Sequence, residues 1–382
     1  MDHEAEIALA EHTLKLIEAR TSDLAPAEYE IPVAAYLDEQ RAGRERERLF
    51  SSLPMLAALS CELVNPGDFR TVTPLGVPLL VVRGRDGQAR AYLNACRHRG
   101  MKLAEGRGCA PKIVCPYHAW TYDDQGKLVG VPRGREGFPE LSRDGRGLVP
   151  VATAERHGVI WVQLDETRAP MDVDGFLGDF APELADWKLD TWHYAGTREH
   201  HPTANWKLTL EGYCENYHVS SLHPETVAQV SKSYGAHHTT FGDHQRLGLP
   251  NHNFDELGDV PKEQWEPFAS GRISFVYNIF PGTIFALFYD QYQVFQIFPG
   301  PTPDTSTTIQ SIYTPTELGP EQQESLRARF DFFANVVANE DYAAVQRAQQ
   351  TLATAANPTL VFGRQEVALH HFHNACNRYA GI

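Results

Sequence analysis

The chain has 382 residues and a formal net charge of −15, from 34 Lys and Arg against 49 Asp and Glu. That length predicts two or three domains with a full core, and an acidic balance with no block of Lys and Arg argues against nucleic acid as a partner. No apolar run approaches the ~20 residues of a membrane span, and Met1-Asp2-His3-Glu4 opens no apolar targeting segment. Of the cysteines at 61, 96, 109, 115, 214 and 376, four lack paired spacing, so the expectation is a cytoplasmic, reducing location with no membrane contact.

Ile7, Leu14 and Ile17 lie at helical spacing, and a second helical pattern covers about Ala34 to Phe50; these predict an N-terminal helical arm, residues 1–50. From Cys61 the pattern becomes short β runs at Phe69–Val72, Pro78–Val82 and Ala91–Leu93, punctuated by Pro66-Gly67 and Arg85-Asp86-Gly87. Lys112–Val114 follows, then a hairpin of Thr121-Tyr122 and Lys127–Val131 about Asp123-Asp124-Gln125-Gly126. Arg133–Gly147 reads as a surface excursion, and His157–Leu164 as a returning strand that closes a small antiparallel β domain, residues 51–165. The remainder, 166–382, begins with a short helix near Phe176–Leu184 and a helical stretch from Asn205 to about His218. Residues 225–270, rich in Gly, His and Asp, predict a long functional loop or lid. Four β runs follow, Ile273–Phe280, Thr283–Tyr289, Gln291–Phe298 and Ser306–Tyr313, and then a long helix from Pro320 to about Gln350 packed on that sheet. The fold class is α+β.

Two short stretches carry metal-ligand chemistry. Cys96-Arg97-His98-Arg99-Gly100 and Cys115-Pro116-Tyr117-His118-Ala119-Trp120 present C-x-H and C-x-x-H pairs, with 16 residues between His98 and Cys115. Zinc accepts two Cys and two His in any order, whereas a Rieske [2Fe-2S] centre takes one Cys and one His from each loop. The pattern resembles a Rieske domain, in which Cys96 and Cys115 hold one iron and His98 and His118 the other. Tyr117 and Trp120 are expected to shield the cluster and hydrogen-bond its sulfurs, although Trp120 suits the β core equally. Cys109 breaks the pair spacing and is expected to be a buried thiol.

The second constellation runs from Asn205 to Pro224 and holds Glu215, His218 and His223. If the helix persists to His218 and then turns, both imidazoles can meet one metal with Glu215 one helical turn before the first. A mononuclear iron site needs one carboxylate more. Asp341 is the candidate, with Glu340 as the competitor one residue away. Most of His237, His238, His370, His371 and His373 are expected on the surface or lid. Phe280, Phe285, Leu287 and Tyr289 predict an apolar cavity wall, and ordinary core packing explains them almost as well.

Taken together, these motifs identify the chain as similar to the α subunit of the Rieske non-haem iron oxygenases, the ring-hydroxylating family. The carboxylate before His218 and the Glu340-Asp341…Val345-Gln346 pattern look nearest to the branch of choline monooxygenase and amine demethylases. The resemblance implies a β Rieske domain followed by a helix-grip, START-like antiparallel sheet with packed helices. The implied cofactors are a [2Fe-2S] Rieske cluster and a mononuclear Fe(II) held by His218, His223 and Asp341, with Glu215 as the acid linking the two centres across a subunit boundary. It implies an oxidoreductase, a mono- or dioxygenase that hydroxylates or oxidatively demethylates a small organic substrate with O2. Aromatic hydrocarbon catabolism is the pathway the family name suggests. The chain has no G-x-G-x-x-G after a strand, so electrons must come from an NAD(P)H-dependent reductase or ferredoxin, and the implied assembly is a homotrimer or a higher multiple. One departure stands out: Glu211-Gly212 replaces the Glu-Asn of many members. The rivals are a non-catalytic Rieske electron carrier fused to a ligand-binding domain, and a zinc-stabilised binding module.

Overall fold

The computed structural model describes residues 3–165, 170–288, 290–354 and 356–381. Tyr289 and the residues just past the expected boundary after Asp165 lie outside that set. The chain divides into two compact units, one of residues 50–176 with 187–191, the other of 1–49 with 177–186 and 192–382.

The first unit is built on β-sheets, with only short helical turns such as Gly134–Gly137. Among its described residues an antiparallel sheet runs in the order Met55–Leu59, Val159–Gln163, Pro150–Arg156, Ala89–Leu93, Leu79–Arg83, Asp68–Val72, Arg107–Cys109. Leu79–Arg83 and Val159–Gln163 are buried along their whole lengths, as continuous aliphatic runs require. A smaller sheet joins Ile113–Val114, Thr121–Tyr122 and Leu128–Gly130. The Cys96 loop leaves Ala89–Leu93, and buried Asn94 staples it: its Oδ1 accepts from Leu103 N and its Nδ2 donates to Ala104 O, both at 2.8 Å. The Cys115 loop closes the Ile113↔Tyr122, Val114↔Thr121 ladder.

The second unit is built on an antiparallel sheet in the order His193–His200, Ser306–Thr314, Tyr292–Pro299, Thr283–Leu287, Ile273–Ile279, His244–Pro250, His237–Phe241. The last two strands correct the expectation of a lid at 225–270. Their polarity hides them in sequence, yet His244, Gln245 and Arg246 are buried. The three find partners, Arg246 at Glu183 (2.7 Å), Gln245 at His238 (2.8 Å) and His244 at Phe280 N (3.1 Å). The arm residues belong to this unit: Tyr29–Pro32 pairs with Thr359–Phe362, and Glu45, fully buried, accepts from Trp206 Nε1 (3.1 Å) and Lys207 Nζ. The long C-terminal helix is interrupted, as Pro320–Val336, a π-turn at Val337–Asp341, and Tyr342–Leu352. Leu326 and Phe330 fasten its first part to Ile312 of the sheet. No helix among the described residues is long and apolar enough to cross a membrane.

Candidate metal centres and cavity

The two loops of the β unit have the same backbone design. In the first, Cys96 N donates to Met101 O (2.8 Å) and Cys96 O accepts from Gly100 N (2.9 Å); in the second, Cys115 N donates to Trp120 O (2.8 Å) and Cys115 O accepts from Ala119 N (2.9 Å). Each loop turns at its fourth residue after Cys with positive φ, +77° at Gly100 and +55° at Ala119. Both thiols are buried, and the rings of His98 and His118 stand 4.7 Å apart. His98 Nδ1 is buried without a hydrogen-bond partner. Burial, then the His118 and Arg99 charges, hold His98 below its ordinary value, which favours the neutral ring a metal requires. Two thiols, two imidazoles and an orphaned ring nitrogen fit a [2Fe-2S] cluster.

Tyr117 is exposed and stacks on His118 (3.7 Å), and Trp120 is buried and stacks on His98 (4.7 Å, 8°). Neither ring bonds the Sγ of Cys96 or Cys115. That contact belongs to Tyr122, whose Oη lies 3.4 Å from Cys96 Sγ and accepts from Arg97 N at 3.0 Å. Burial raises the Tyr122 phenol, so it keeps its proton beside the sulfur. Nothing in the sequence distinguished this tyrosine, two residues past Trp120, from strand core. Cys109, expected to be buried, is exposed.

In the second unit the helix begun by Asn205, whose side chain caps Lys207 N, ends at Glu211 rather than His218. Tyr213 N and Cys214 N bond back only three residues, to Leu210 O and Glu211 O, and the chain turns at Gly212. Glu215 therefore lies in a turn, where its carboxylate folds forward onto Tyr217 N, His218 N and His218 Nδ1. A short helix, Val219–Leu222, separates His218 from buried His223.

His218, His223 and Asp341 come together with one donor atom of each within 4.8 Å of the others. Asp341 Oδ1 lies 3.0 Å from His223 Nε2 and 3.6 Å from His218 Nε2. Glu340 occupies the other side of His223, its Oε2 2.6 Å from Nδ1 and 2.9 Å from Thr226 Oγ1. Glu215 and Glu340 thus each hold an Nδ1 and leave Nε2 directed at Asp341, the arrangement that fixes tautomers for metal ligation. Two imidazoles and a carboxylate fit a mononuclear iron. Gly212 adds room: a Cβ there would stand 3.9 Å from Asp341 Oδ1.

A cavity of about 670 Å³ opens at this cluster, with Glu211, Glu215 and Glu366 beside the imidazoles. Its sheet wall carries Ser274 and Val276, Ala286 and Phe288, Gln293 and Phe295, and its helical wall Phe332, Phe333 and Val337. The wall expected from Phe280, Phe285 and Leu287 is corrected, since all three are buried in the core and line nothing here. Alternation along the strand sends Ala286 and Phe288 to the cavity and Phe285 and Leu287 to the opposite face. Two of the remaining histidines are likewise interior: His237 and His373 are buried. His373 Nε2 donates to Glu211 Oε1 (2.9 Å), which also accepts from Tyr36 Oη (2.7 Å).

A β unit with a cluster-binding loop pair and a helix-on-sheet unit with an imidazole and carboxylate triad define a two-centre iron protein. Residues 54–151 match the Rieske [2Fe-2S] domain, and residues 189–381 match the catalytic domain of the ring hydroxylating alpha subunit. The chain belongs to that family, whose cofactors are a [2Fe-2S] cluster and a mononuclear iron. It is 33% identical to a glycine betaine monooxygenase oxygenase subunit of Chromohalobacter salexigens over 52% of this chain and 44% of that one. The match thus spans less than half of that relative's length. It is 28% identical to a carnitine monooxygenase oxygenase subunit of Escherichia coli over 90% and 92% of the two chains. The crystal structure of a quaternary ammonium Rieske monooxygenase superposes with a TM-score of 0.78 at 24% identity, covering 94% of this chain and 96% of that one. Aromatic hydrocarbon catabolism finds no support in these relatives, which are named for quaternary ammonium compounds.

Proposed function

We propose that the chain is the oxygenase component of a multicomponent Rieske system, which hydroxylates or oxidatively demethylates a small organic substrate. The observation that carries the reading is the His218, His223 and Asp341 cluster on the wall of a 670 Å³ cavity, in one chain with a Rieske domain. In this reading Cys96, His98, Cys115 and His118 hold the cluster and His218, His223 and Asp341 the iron. When bound, these groups supply electron relay and O2 activation.

The protein's own part is orientation and exclusion. Glu215 and Glu340 accept the Nδ1 protons of His218 and His223, so that each ring keeps its Nε2 lone pair for metal. The apolar walls exclude water and hold the substrate against the open side of the site. Glu215 has the further role of accepting a hydrogen bond from a cluster histidine of a neighbouring subunit, in a trimer or higher multiple. An NAD(P)H-dependent reductase or ferredoxin is the electron source. The six cysteines stand as free thiols, which suits a cytoplasmic location. The relatives named above favour an amine-type substrate over a hydrocarbon.

The test is iron stoichiometry followed by turnover. The oxygenase reading expects two irons in the cluster and one alone, with O2 uptake and product formation from glycine betaine, carnitine or a related amine when a reductase and NADH are supplied. Two irons only, with a reducible cluster and no O2 uptake, would identify a non-catalytic electron carrier instead.

A further inference from the structure

The cavity is electrically polar along its length. Its metal end gathers the carboxylates of Glu211, Glu215, Glu366 and Asp341. Among the described residues that line it, Arg329 is the sole lysine or arginine. Arg329 lies 12 residues before Asp341, the last five of them in the π-turn, so the two stand somewhat less than the roughly 18 Å apart that an unbroken α-helix would give. Between the two ends the walls are mostly aliphatic and aromatic, interrupted by Ser274 and Gln293, with Phe288 and Phe333 stacked at 6.1 Å.

We propose that Arg329 determines specificity by binding a carboxylate of the substrate, so that this cavity takes an elongated acid and presents its far end to the metal site. The proposal rests on the oxygenase reading of the cavity and deepens it by naming the substrate class. Asp290 already holds one edge of the guanidinium, its Oδ2 2.6 Å from Nη1. Nε and Nη2 have no hydrogen-bond partner among the described residues, and Arg329 is exposed, with 44% of its side-chain surface accessible. A guanidinium carries five N–H donors in a planar fork, so it can keep Asp290 on one side and take a substrate carboxylate on the other. Asp290 neutralises part of the charge and sets the fork's orientation. Arg329 is the one cationic side chain among the described lining residues, so it is the anchor this chain itself offers to a carboxylate. A ligand as short as glycine betaine would fill only one end of such a cavity, so among the amine acids that the oxygenase reading favours, those long enough to reach both Arg329 and the metal site are expected to bind best.

The experiment is calorimetric binding of ω-phenylalkanoates, from phenylacetate to 6-phenylhexanoate, and of their primary amides. It uses the anaerobic, iron-loaded protein without reductant, so binding is read apart from turnover. The expected result is that the longer acids bind about two- to fivefold more tightly than their amides, the size of one solvent-exposed charge pair. Arg329→Gln should abolish that preference, Arg329→Lys should restore part of it, and Asp290→Asn should keep or increase it. Equal binding of acid and amide, a preference that survives in Arg329→Gln, or binding of none of the acids overturns the proposal. Iron counted on the same samples separates this failure from failure of the oxygenase reading: two irons per chain sinks the latter, whereas a full complement with indifferent binding sinks Arg329 alone.

Discussion

Exchanging Glu340 and Asp341 one at a time, as Glu340→Gln and Asp341→Asn, tests the roles that the geometry gives to two adjacent acids. Glu340 Oε2 touches His223 Nδ1 at 2.6 Å and Thr226 Oγ1 at 2.9 Å, on the side of the ring away from the donor cluster. Asp341 Oδ1 faces both Nε2 atoms, at 3.0 and 3.6 Å. A carboxylate that orients a metal-bound imidazole is worth about 10- to 100-fold in metal affinity, or about 1.4–2.8 kcal/mol. Glu340→Gln is therefore expected to weaken mononuclear iron binding within that range and to leave saturation attainable. Asp341→Asn removes a ligand charge and should weaken it further, leaving only the cluster irons after gel filtration. The assay is anaerobic Fe(II) titration with iron counted against the Rieske absorbance, which both variants should retain. Retention of the lone iron in Asp341→Asn together with its loss in Glu340→Gln would refute the reasoning and reverse the two roles.

Tyr122→Phe removes the phenol beside Cys96 Sγ; at about 1 kcal/mol for one hydrogen bond the Rieske potential should fall by ~40 mV for one electron, and an unchanged value in spectroelectrochemical titration would assign the contact no tuning role. Lys207→Met leaves Glu45 buried with only Arg41 opposite it, an expected loss of about 3 kcal/mol in urea unfolding, and a loss under 1 kcal/mol would show the charge relaxing to solvent. Burial pushes the Glu45 carboxyl up, but Lys207 and Arg41 outweigh it and hold the group below its ordinary 4.5. Its stabilising contribution is therefore complete above that value and disappears as pH falls through the lower, folded-state value. Wild type should lose stability on acidification more steeply than Glu45→Gln, and parallel profiles would contradict this. Ala119→Gly relieves a residue held at φ +55° and should gain up to about 1 kcal/mol, with no change in the Rieske spectrum; a lower midpoint would locate a packing role in the Ala119 methyl.

The loop pair of the β unit is legible in sequence because its signal is local: Cys and His recur at fixed short spacing, and the surrounding strands alternate in the ordinary way. The meeting of His223 with Asp341 joins residues 118 apart, which no periodicity reports; only the resemblance suggested it. Three misreadings have identifiable physical causes. Helical patterning through Leu208 and Leu210 continued past Gly212 on paper, whereas the backbone there already turns. Strand His244–Pro250 looked like a loop because its buried polar groups are satisfied by tertiary partners invisible to a hydropathy pattern. The cavity wall was assigned to the wrong face of Thr283–Leu287, since both faces of that strand are apolar and alternation cannot choose between two buried sides.

The π-turn at Val337–Asp341 explains how neighbouring acids serve one imidazole from opposite edges. In an unbroken α-helix successive side chains diverge by roughly 100°, which directs only one of Glu340 and Asp341 toward a given ring. Here the helix opens by one residue at the site, an irregularity often found where function sets side-chain direction, and Glu340 reaches Nδ1 of His223 while Asp341 reaches Nε2. His218 meets the same requirement more cheaply, because Glu215 is close enough in sequence to close a turn onto its Nδ1. Only Asp341 faces both rings. Its placement is therefore the one element of the centre that depends on long-range packing, through Leu326 and Phe330 against Ile312 and through Tyr342 Oη on Thr308 Oγ1 at 2.9 Å. The helix that carries Arg329 at the far end of the cavity is thus also the helix that positions the carboxylate at the metal.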